Sequence, residues 1–161
     1  MSSQPKYPDA TIENSHRVGI EFQDFVCIEL AKTGVILQNL CSKKYQFEKG
    51  ENLQGFEIKY DSRFLDTGRL SIEVAEKSKA DNEKWIPSGI YARDDCWLYI
   101  QGNYSRIYIF STNWLRRYCE EKSVPIKEFN GTIKRFFIPL QLCDRLAAKV
   151  LRFEVIPCTS L

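Results

Sequence analysis

The chain has one histidine, His16, among its 161 residues, and it has no pair of cysteines in a CxxC spacing. A catalytic triad or a metal site built on histidine therefore has little support in the sequence. The six cysteines are scattered, with no second cysteine or histidine close by, so neither a zinc site nor a disulfide scaffold is predicted. We expect these thiols to be reduced and mostly buried.

The chain also lacks a long apolar run. No window approaches the ~20 residues that cross a bilayer, and the amino end has no apolar signal core, so we expect a cytoplasmic protein without a membrane partner. A hydrophobic content of 43%, with 13% aromatic residues, suits a single globular domain. Two prolines and small polar residues predict a flexible arm over residues 1–13, and the domain is expected over residues 14–161.

Charge of one sign is not in large excess, because the formal net charge is only +2. Its distribution is uneven: residues 1–105 carry a net charge of −3 and residues 106–161 a net charge of +5. A metal-binding carboxylate cluster beside a phosphate-binding surface would produce this asymmetry, and so would an ordinary solvated surface.

Hydrophobic periodicity predicts an α/β fold with a central mixed sheet flanked by helices. An apolar stripe at helical spacing predicts a first helix over residues 15–34, which is followed by a short strand over residues 35–40. A Gly102-Asn103 turn indicates a hairpin of two strands over residues 97–101 and 106–110. Later expected elements are a helix ending at Glu121, a strand over 133–138, a helix over 140–150 and an edge strand over 153–156.

Residues 55–78 are the most informative stretch, since two segments alternate apolar and polar side chains as β-strands do. The polar positions of the first segment are Glu57, Lys59 and Asp61, and those of the second are Glu73, Ala75 and Lys77. If the segments pair as a hairpin, their carboxylates converge. Converging carboxylates are tolerated mainly when a divalent cation or a shared proton neutralises them. Mg²⁺ needs only a couple of carboxylates and a substrate phosphate, which Asp61 and Glu73 could provide.

This arrangement resembles the loose form of the PD-(D/E)XK nuclease pattern, which is shared by restriction-type and phage-type nucleases. The similarity rests on Asp61 late in one strand, Thr67-Gly68 in the connection and Glu73 in the next strand. It extends more loosely over residues 17–138. The resemblance implies a restriction-endonuclease-like fold and a DNA endonuclease that depends on Mg²⁺, with Mn²⁺ able to substitute.

The resemblance also implies roles for individual residues. Asp61 would bridge the metal ions, Glu73 would be the second ligand, and Glu21 of the first helix would join through the metal or its water. The sequence departs from the pattern at Ala75, where the family has a lysine. Lys77 or Lys59 could supply the missing amine, and Lys77 is the preferred candidate.

Other interpretations of the same stretch stay open. In one, Glu57-Ile58-Lys59 is itself the acid-x-lysine element, and Glu48 or Glu51 is the earlier acid. In another, the charged residues form cross-strand ion pairs on a solvated face of the sheet.

A second family resemblance lies further along the chain. The Gly89-Ile90-Tyr91 segment, followed by Tyr99 to Gly102, superficially resembles the GIY-YIG nuclease signature. Gln101 interrupts the second half of that signature, and a helix and the carboxylate stretch precede it. The segment from Ser88 to Tyr91 is instead expected to lie near the site or the substrate.

We therefore predict a DNA endonuclease, acting as a homodimer if it cuts both strands, because that cleavage requires two sites. The alternative is a non-catalytic DNA-binding or protein-interaction module that keeps the nuclease fold. Contacts to the DNA backbone need cations and tolerate any base sequence. The candidate DNA-binding residues are Lys84, Ser88, Tyr91, Arg93, Lys134 and Arg135.

Overall fold

The computed structural model describes residues 9–92 and 95–154 and has a mixed α/β architecture, which confirms the predicted class. The helices are α1 (Asp9–Ala31), α2 (Lys43–Lys49), α3 (Phe64–Thr67), α4 (Thr112–Glu121) and α5 (Leu140–Leu146), with a 3₁₀ turn at Gly89–Tyr91. The strands are β1 (Phe56–Tyr60), β2 (Arg69–Glu76), β3 (Ile86–Pro87), β4 (Leu98–Asn103), β5 (Arg106–Ser111), β6 (Lys127–Phe129), β7 (Ile133–Pro139) and β8 (Lys149–Arg152).

The first sheet has the strand order β1-β4-β5-β8, in which β1 is parallel to β4 and the other pairs are antiparallel. Its apolar face packs against α1. This happens because Phe22, Val26 and Leu30 recur at helical spacing and are fully or almost fully buried. They contact a layer that includes Phe56 and Ile58 of β1. The helix therefore covers one face of the first sheet and leaves the polar positions of β1 on the other.

The second sheet is antiparallel and has the order β3-β2-β7-β6. Alternation along β2 and β7 sends one set of side chains into the larger core, which also contains side chains of the first sheet and of α4. That set is Leu70, Ile72, Val74, Phe136 and Ile138. The alternate positions, which include Ser71, Glu73 and Arg135, lie on the opposite face.

The predicted hairpin of β1 and β2 is wrong, because the two strands belong to different sheets. Between them the chain forms α3 and then turns at Gly68, which has the left-handed conformation that glycine adopts without strain. Strand β1 pairs instead with β4, from Phe56 opposite Leu98 to Tyr60 opposite Gly102. Alternation of side chains indicates which face of a strand is buried, but it does not specify the neighbouring strand.

Other elements differ from the predictions in their boundaries. Helix α1 begins at Asp9, so residues 9–13 of the predicted arm are helical, while residues 1–8 lie outside the described part. Residues 35–40 contain only an isolated bridge between Asn39 and Asn52. The last helix ends at Leu146, because Ala147 is extended and the chain then pairs with β5 as β8. The predicted edge strand over 153–156 lies outside β8, and its last two residues lie outside the described ranges.

The predicted hairpin of β4 and β5 and the strand beginning at Ile133 are confirmed. The Gly89-Ile90-Tyr91 segment is a 3₁₀ turn and not the strand that a GIY-YIG signature requires. Across residues 9–92 and 95–154, no helix is long and apolar enough to cross a membrane. The five cysteines in these ranges are free thiols, and Cys96, Cys119 and Cys143 are buried.

Gly89 holds the 3₁₀ turn against β2. Its φ of 54° lies in the left-handed region, and a Cβ at this position would overlap the backbone carbonyl oxygen of Glu73. We expect Gly89→Ala to lower the free energy of unfolding by about 2 kcal/mol or more, because strain and overlap add. Chemical denaturation measures this change.

Gly19→Ala is the matched control, since Gly19 is inside α1 and a Cβ there would meet nothing within 4 Å. This substitution should raise the free energy of unfolding by about 0.5–1 kcal/mol, because alanine favours the helix. Equal stability of the two variants would contradict the described packing of Gly89 on Glu73.

Candidate functional site

A cleft of about 530 Å³ lies where the first sheet meets β2, and we call it the Glu73 cleft. Its lining includes Lys59 and Asp61 from β1 and the residue after it, Glu73 from β2, and Gln101 from β4. Asp61 and Glu73, which the sequence predicts to converge, thus line one cleft, although the strands that carry them are not paired. Both carboxylates are half-buried.

The cleft forms because one edge of β2 is left partly uncovered. Strand β3 pairs with β2 only at Ala75 and Glu76, so the carbonyl of Ser71 takes a partner from the first sheet. The Gln101 amide Nε2 donates to Ser71 O at 2.9 Å and to Asp61 Oδ2 at 3.2 Å. Since Lys59 is opposite Gln101 in the parallel register, this contact also brings Lys59 to the cleft.

Lys59 is held among carboxylates. Its Nζ lies 2.6 Å from Glu57 Oε1, and Glu57 is buried beneath it with 7% of its surface exposed. Burial acts to lower the pKa of Lys59, but Glu57, together with Tyr99, Glu51 and Glu73, outweighs burial and raises that pKa. Lys59 is therefore an ammonium ion at neutral pH.

Tyr99 lies directly opposite Glu57 in the parallel pair and also lines the Glu73 cleft. Burial raises the pKa of its phenol, and the negative charges of Glu57 and Glu73 act in the same direction. The ammonium of Lys59 and a backbone hydrogen bond at Glu73 act in the opposite direction. Tyr99 is consequently a neutral hydroxyl at neutral pH.

A second cleft, of about 870 Å³, lies between α1 and β1, and we call it the Asp24 cleft. Asp24 and Glu51 line it, and so does Lys59, which is common to both clefts. Glu51 is positioned by the backbone of β1, because its Oε2 accepts a hydrogen bond from Ile58 N at 3.0 Å. Lys59, the amine of the Glu57-Ile58-Lys59 interpretation, is thus also the lysine that shares the Glu73 cleft with Asp61 and Glu73.

Three arginines line the Glu73 cleft, namely Arg63, Arg69 and Arg135. Arg135 is directly opposite Glu73 in the pair of β2 and β7. Within the described residues, none of the three forms a salt bridge, and the buried Nε of Arg135 has no hydrogen-bond partner. Four cationic and two anionic side chains therefore line the cleft, which favours an anionic ligand.

Two residues assigned to the site from sequence lie elsewhere. Lys77 donates to the carbonyls of Ala80 and Asn82, each at 2.8 Å, and its Nζ lies over the Trp85 ring. The sequence predicted that Lys77 shares a strand face with Glu73, but that prediction assumed a regular strand. The register of β2 shifts between Glu73 and Ala75, so the regular alternation does not continue to Lys77. Neither Lys77 nor Glu21 lines the Glu73 cleft.

Glu21 is on the exposed side of α1, where it pairs with Arg17 at 3.3 Å. The apolar stripe of α1 decides this orientation, since burying Phe22 turns its neighbour in the sequence away from the sheet. Asp24 is the acid of α1 that does line a cleft together with Lys59.

The candidate DNA-binding residues are dispersed. Arg135 lines the Glu73 cleft, Lys134 lies over the Trp85 ring at 4.3 Å, and Lys84 is exposed in the loop before β3. Ser88 is buried against β2, so its hydroxyl is not presented to a ligand.

The remaining two candidates are Tyr91 and Arg93. The Tyr91 hydroxyl donates to Glu120 Oε1 at 2.8 Å, which directs it to α4 and not to the cleft. Arg93 lies outside the described residues.

Sequence reasoning missed Gln101, Arg63 and Arg69. Gln101 is a polar residue inside the apolar strand β4 and is only 3% exposed. A lone amide in such a run is a usable signal, because a buried polar group requires partners. Arg69 shares the period-two face of Ser71 and Glu73, so it could have been grouped with them.

The oxygen atoms of the Glu73 cleft fit a hard divalent cation. Asp61 and Glu73 supply carboxylates, and Gln101 Oε1 is a buried acceptor that has no hydrogen-bond partner. No group of three or more His, Cys, Asp or Glu residues close enough to hold a metal occurs in the described ranges. Mg²⁺ retains several of its water ligands, so two carboxylates and a carbonyl oxygen are as many ligands as a protein usually supplies to it.

Comparison of the chain with protein-family models, with curated proteins and with solved structures found no match. The chemistry of the Glu73 cleft is therefore the basis for a functional assignment.

The ion pair of Lys59 and Glu57 should contribute measurably to stability, since the lysine balances a buried carboxylate. We expect Lys59→Met to lower the free energy of unfolding by about 1–3 kcal/mol. A double-mutant cycle with Glu57→Gln should give a favourable coupling of similar size. The exposed pair of Arg117 and Glu121 is the matched control, and its coupling should be about 0.5 kcal/mol or less.

The pH dependence of this coupling follows from the raised pKa of Lys59. In the folded state the proton is held more tightly, so the stabilisation is complete below the unfolded-state pKa of about 10.4. It is lost only as the pH rises through the still higher folded-state pKa. We expect equal coupling at pH 7 and pH 9 in urea denaturation, and a coupling that disappears by pH 9 would contradict this charge assignment.

Proposed function

We propose that the protein is a metal-dependent DNA endonuclease whose active site is the Glu73 cleft. The main support is that Lys59, Asp61 and Glu73 share one cleft with three arginines that form no salt bridge in the described residues. This set combines an ammonium, oxygen ligands and phosphate-binding groups. It is similar in composition to the site of PD-(D/E)XK nucleases, with Lys59 in place of the lysine that is absent at Ala75.

Asp61, Glu73 and Gln101 Oε1 would hold Mg²⁺ or Mn²⁺ in this cleft. When bound, the ion supplies a water of lowered pKa and withdraws charge from a phosphoryl oxygen. Hydrolysis joins the water oxygen to phosphorus and breaks the bond from phosphorus to the sugar oxygen, which leaves with a proton. The Gln101 amide keeps the Asp61 carboxylate in place, because its Nε2 donates to both Asp61 and the fixed backbone of Ser71.

Lys59 would act as a charge stabiliser and not as the base. It carries its proton at neutral pH, because the surrounding carboxylates raise its pKa. An ammonium beside the reacting phosphate offsets the negative charge that develops on the phosphoryl and leaving oxygens. Glu57 keeps this ammonium in position through its 2.6 Å contact.

Arg63, Arg69 and Arg135 would bind the phosphates on either side of the scissile bond. A guanidinium can make two parallel hydrogen bonds to a phosphate, and these contacts do not depend on base sequence. By contrast, Arg17, Arg117 and Arg152 outside the cleft each pair with a carboxylate. Binding should therefore weaken steeply as salt concentration rises.

A non-catalytic DNA-binding module is the second candidate function. The observation that favours it is the close pair of Lys59 and Glu57, which balances both charges without an ion. In that case the arginines would bind phosphates, and the carboxylates of the cleft would only position Lys59 and Gln101.

A plasmid-nicking assay tests the proposal. Purified protein should relax supercoiled plasmid in Mg²⁺ or Mn²⁺ and should be inactive in EDTA. Glu73→Gln and Lys59→Met should each reduce the rate by about 100-fold or more, because each removes a group that acts on the reacting phosphate. Circular dichroism at the assay temperature establishes that each variant is folded.

Lys77→Met and Glu21→Gln are the matched controls, since both residues lie outside the cleft. Their rates should stay within about twofold of the original. Loss of cleavage in Lys77→Met with full activity in Lys59→Met would contradict the proposed amine. Binding of plasmid without cleavage in any tested metal would favour the non-catalytic module.

A further inference from the structure

One wall of the Glu73 cleft is a row in which two arginines flank two phenylalanines, and we call it the Arg-Phe wall. Its members in spatial order are Arg69, Phe137, Phe129 and Arg135. The Arg69 guanidinium carbon lies 4.3 Å from the Phe137 ring centre, and the two rings meet edge to face at 5.7 Å. The Arg135 guanidinium carbon lies 6.0 Å from the Phe129 ring centre.

The side chains of the Arg-Phe wall do not belong to the hydrophobic core. In β7, Phe136 and Ile138 point into the core, whereas Arg135 and Phe137 occupy the alternate positions. Phe129 is on the edge strand β6 and is 36% exposed. Two phenylalanines therefore present apolar surface to the cleft, beside arginines whose charges are not balanced by salt bridges within the described residues.

We propose that the Arg-Phe wall binds an unpaired nucleotide of the DNA, with a base stacked on Phe129 and the adjoining phosphates held by Arg69 and Arg135. A duplex can be held through its phosphates alone, so it needs cations but no exposed ring. In a duplex the faces of each base are covered by neighbouring bases, so an aromatic side chain stacks only on an unpaired or terminal base. The combination of rings and arginines thus selects single-stranded segments.

This inference rests on the proposed function, because it assigns a substrate class to the same cleft. The wall and the carboxylates line one cavity, so a nucleotide on Phe129 would be close to the phosphate that reaches Asp61 and Glu73. The preferred substrates would be flaps, forks or bubbles, in which single-stranded DNA adjoins a duplex.

Fluorescence anisotropy in EDTA tests the wall separately from cleavage. The probes are labelled (dT)12 and a labelled 12-bp duplex, and the protein is the full chain. Phe129→Ala should weaken binding of (dT)12 by about 5- to 150-fold, which is the range for losing one base stack. Binding of the duplex should change by less than about twofold, and Phe129→Tyr should retain the binding of (dT)12.

Tyr45→Ala is the control for loss of an exposed aromatic ring, since Tyr45 is 52% exposed and lines neither cleft. It should bind both probes as the original protein does. Equal losses for (dT)12 and duplex in Phe129→Ala, or no loss for either, would overturn the inference. Selective loss of (dT)12 binding in a protein that never cleaves plasmid would support the wall and count against the nuclease proposal alone.

Discussion

The Gln101 carboxamide joins the two sheets at the point where the Glu73 cleft forms. It is almost wholly buried and donates both to the backbone of β2 and to the carboxylate of Asp61. A buried amide is stabilising only when it finds partners. Its hydrogen bond to Ser71 O connects the first sheet to the second, and its hydrogen bond to Asp61 positions that carboxylate at the end of β1. Lys59 and Tyr99 depend on the same approach, because both are on the strands that Gln101 brings to β2.

The cleft that results concentrates charge of both signs. Buried Glu57 keeps Lys59 charged, while the arginines around the cleft have no carboxylate partners in the part of the chain that the structure describes. Such an arrangement costs stability, since like charges repel and desolvated charges lose hydration. An anionic ligand on the arginines and a cation on the carboxylates would offset both costs, which is the physical reason for assigning function to this place.

The sequence predicted correctly which side chains of β1 share a face of the strand, but it did not predict which strand pairs with β1. Alternation placed Glu57, Lys59 and Asp61 on one polar face and Glu73 on another, and these faces do meet at the cleft. The expected hairpin did not form, because the parallel partner of β1 is a strand about 40 residues later, and local pattern does not encode such a distant pairing.

The sequence singled out the two acids that line the cleft, Asp61 and Glu73, but for the amine it favoured Lys77 over Lys59, which is the lysine that lines the cleft. Lys77 was assigned by counting along a regular strand, but the register shift after Glu73 and the loop carbonyls of Ala80 and Asn82 removed it from the cleft. Glu21 was assigned by its helix, whereas the packing of the helix turned it outward. Arg69 and Phe129 are separated in sequence and meet only through the order of β2, β7 and β6.

We propose above all that the Glu73 cleft holds a divalent cation for phosphodiester hydrolysis. A crystal structure of the protein soaked in Mn²⁺, with anomalous diffraction recorded, would locate any bound ion. We expect an anomalous peak within about 2.5 Å of carboxylate oxygens of both Asp61 and Glu73. A peak only in the Asp24 cleft, or no peak at Asp61 and Glu73 at saturating Mn²⁺, would contradict it.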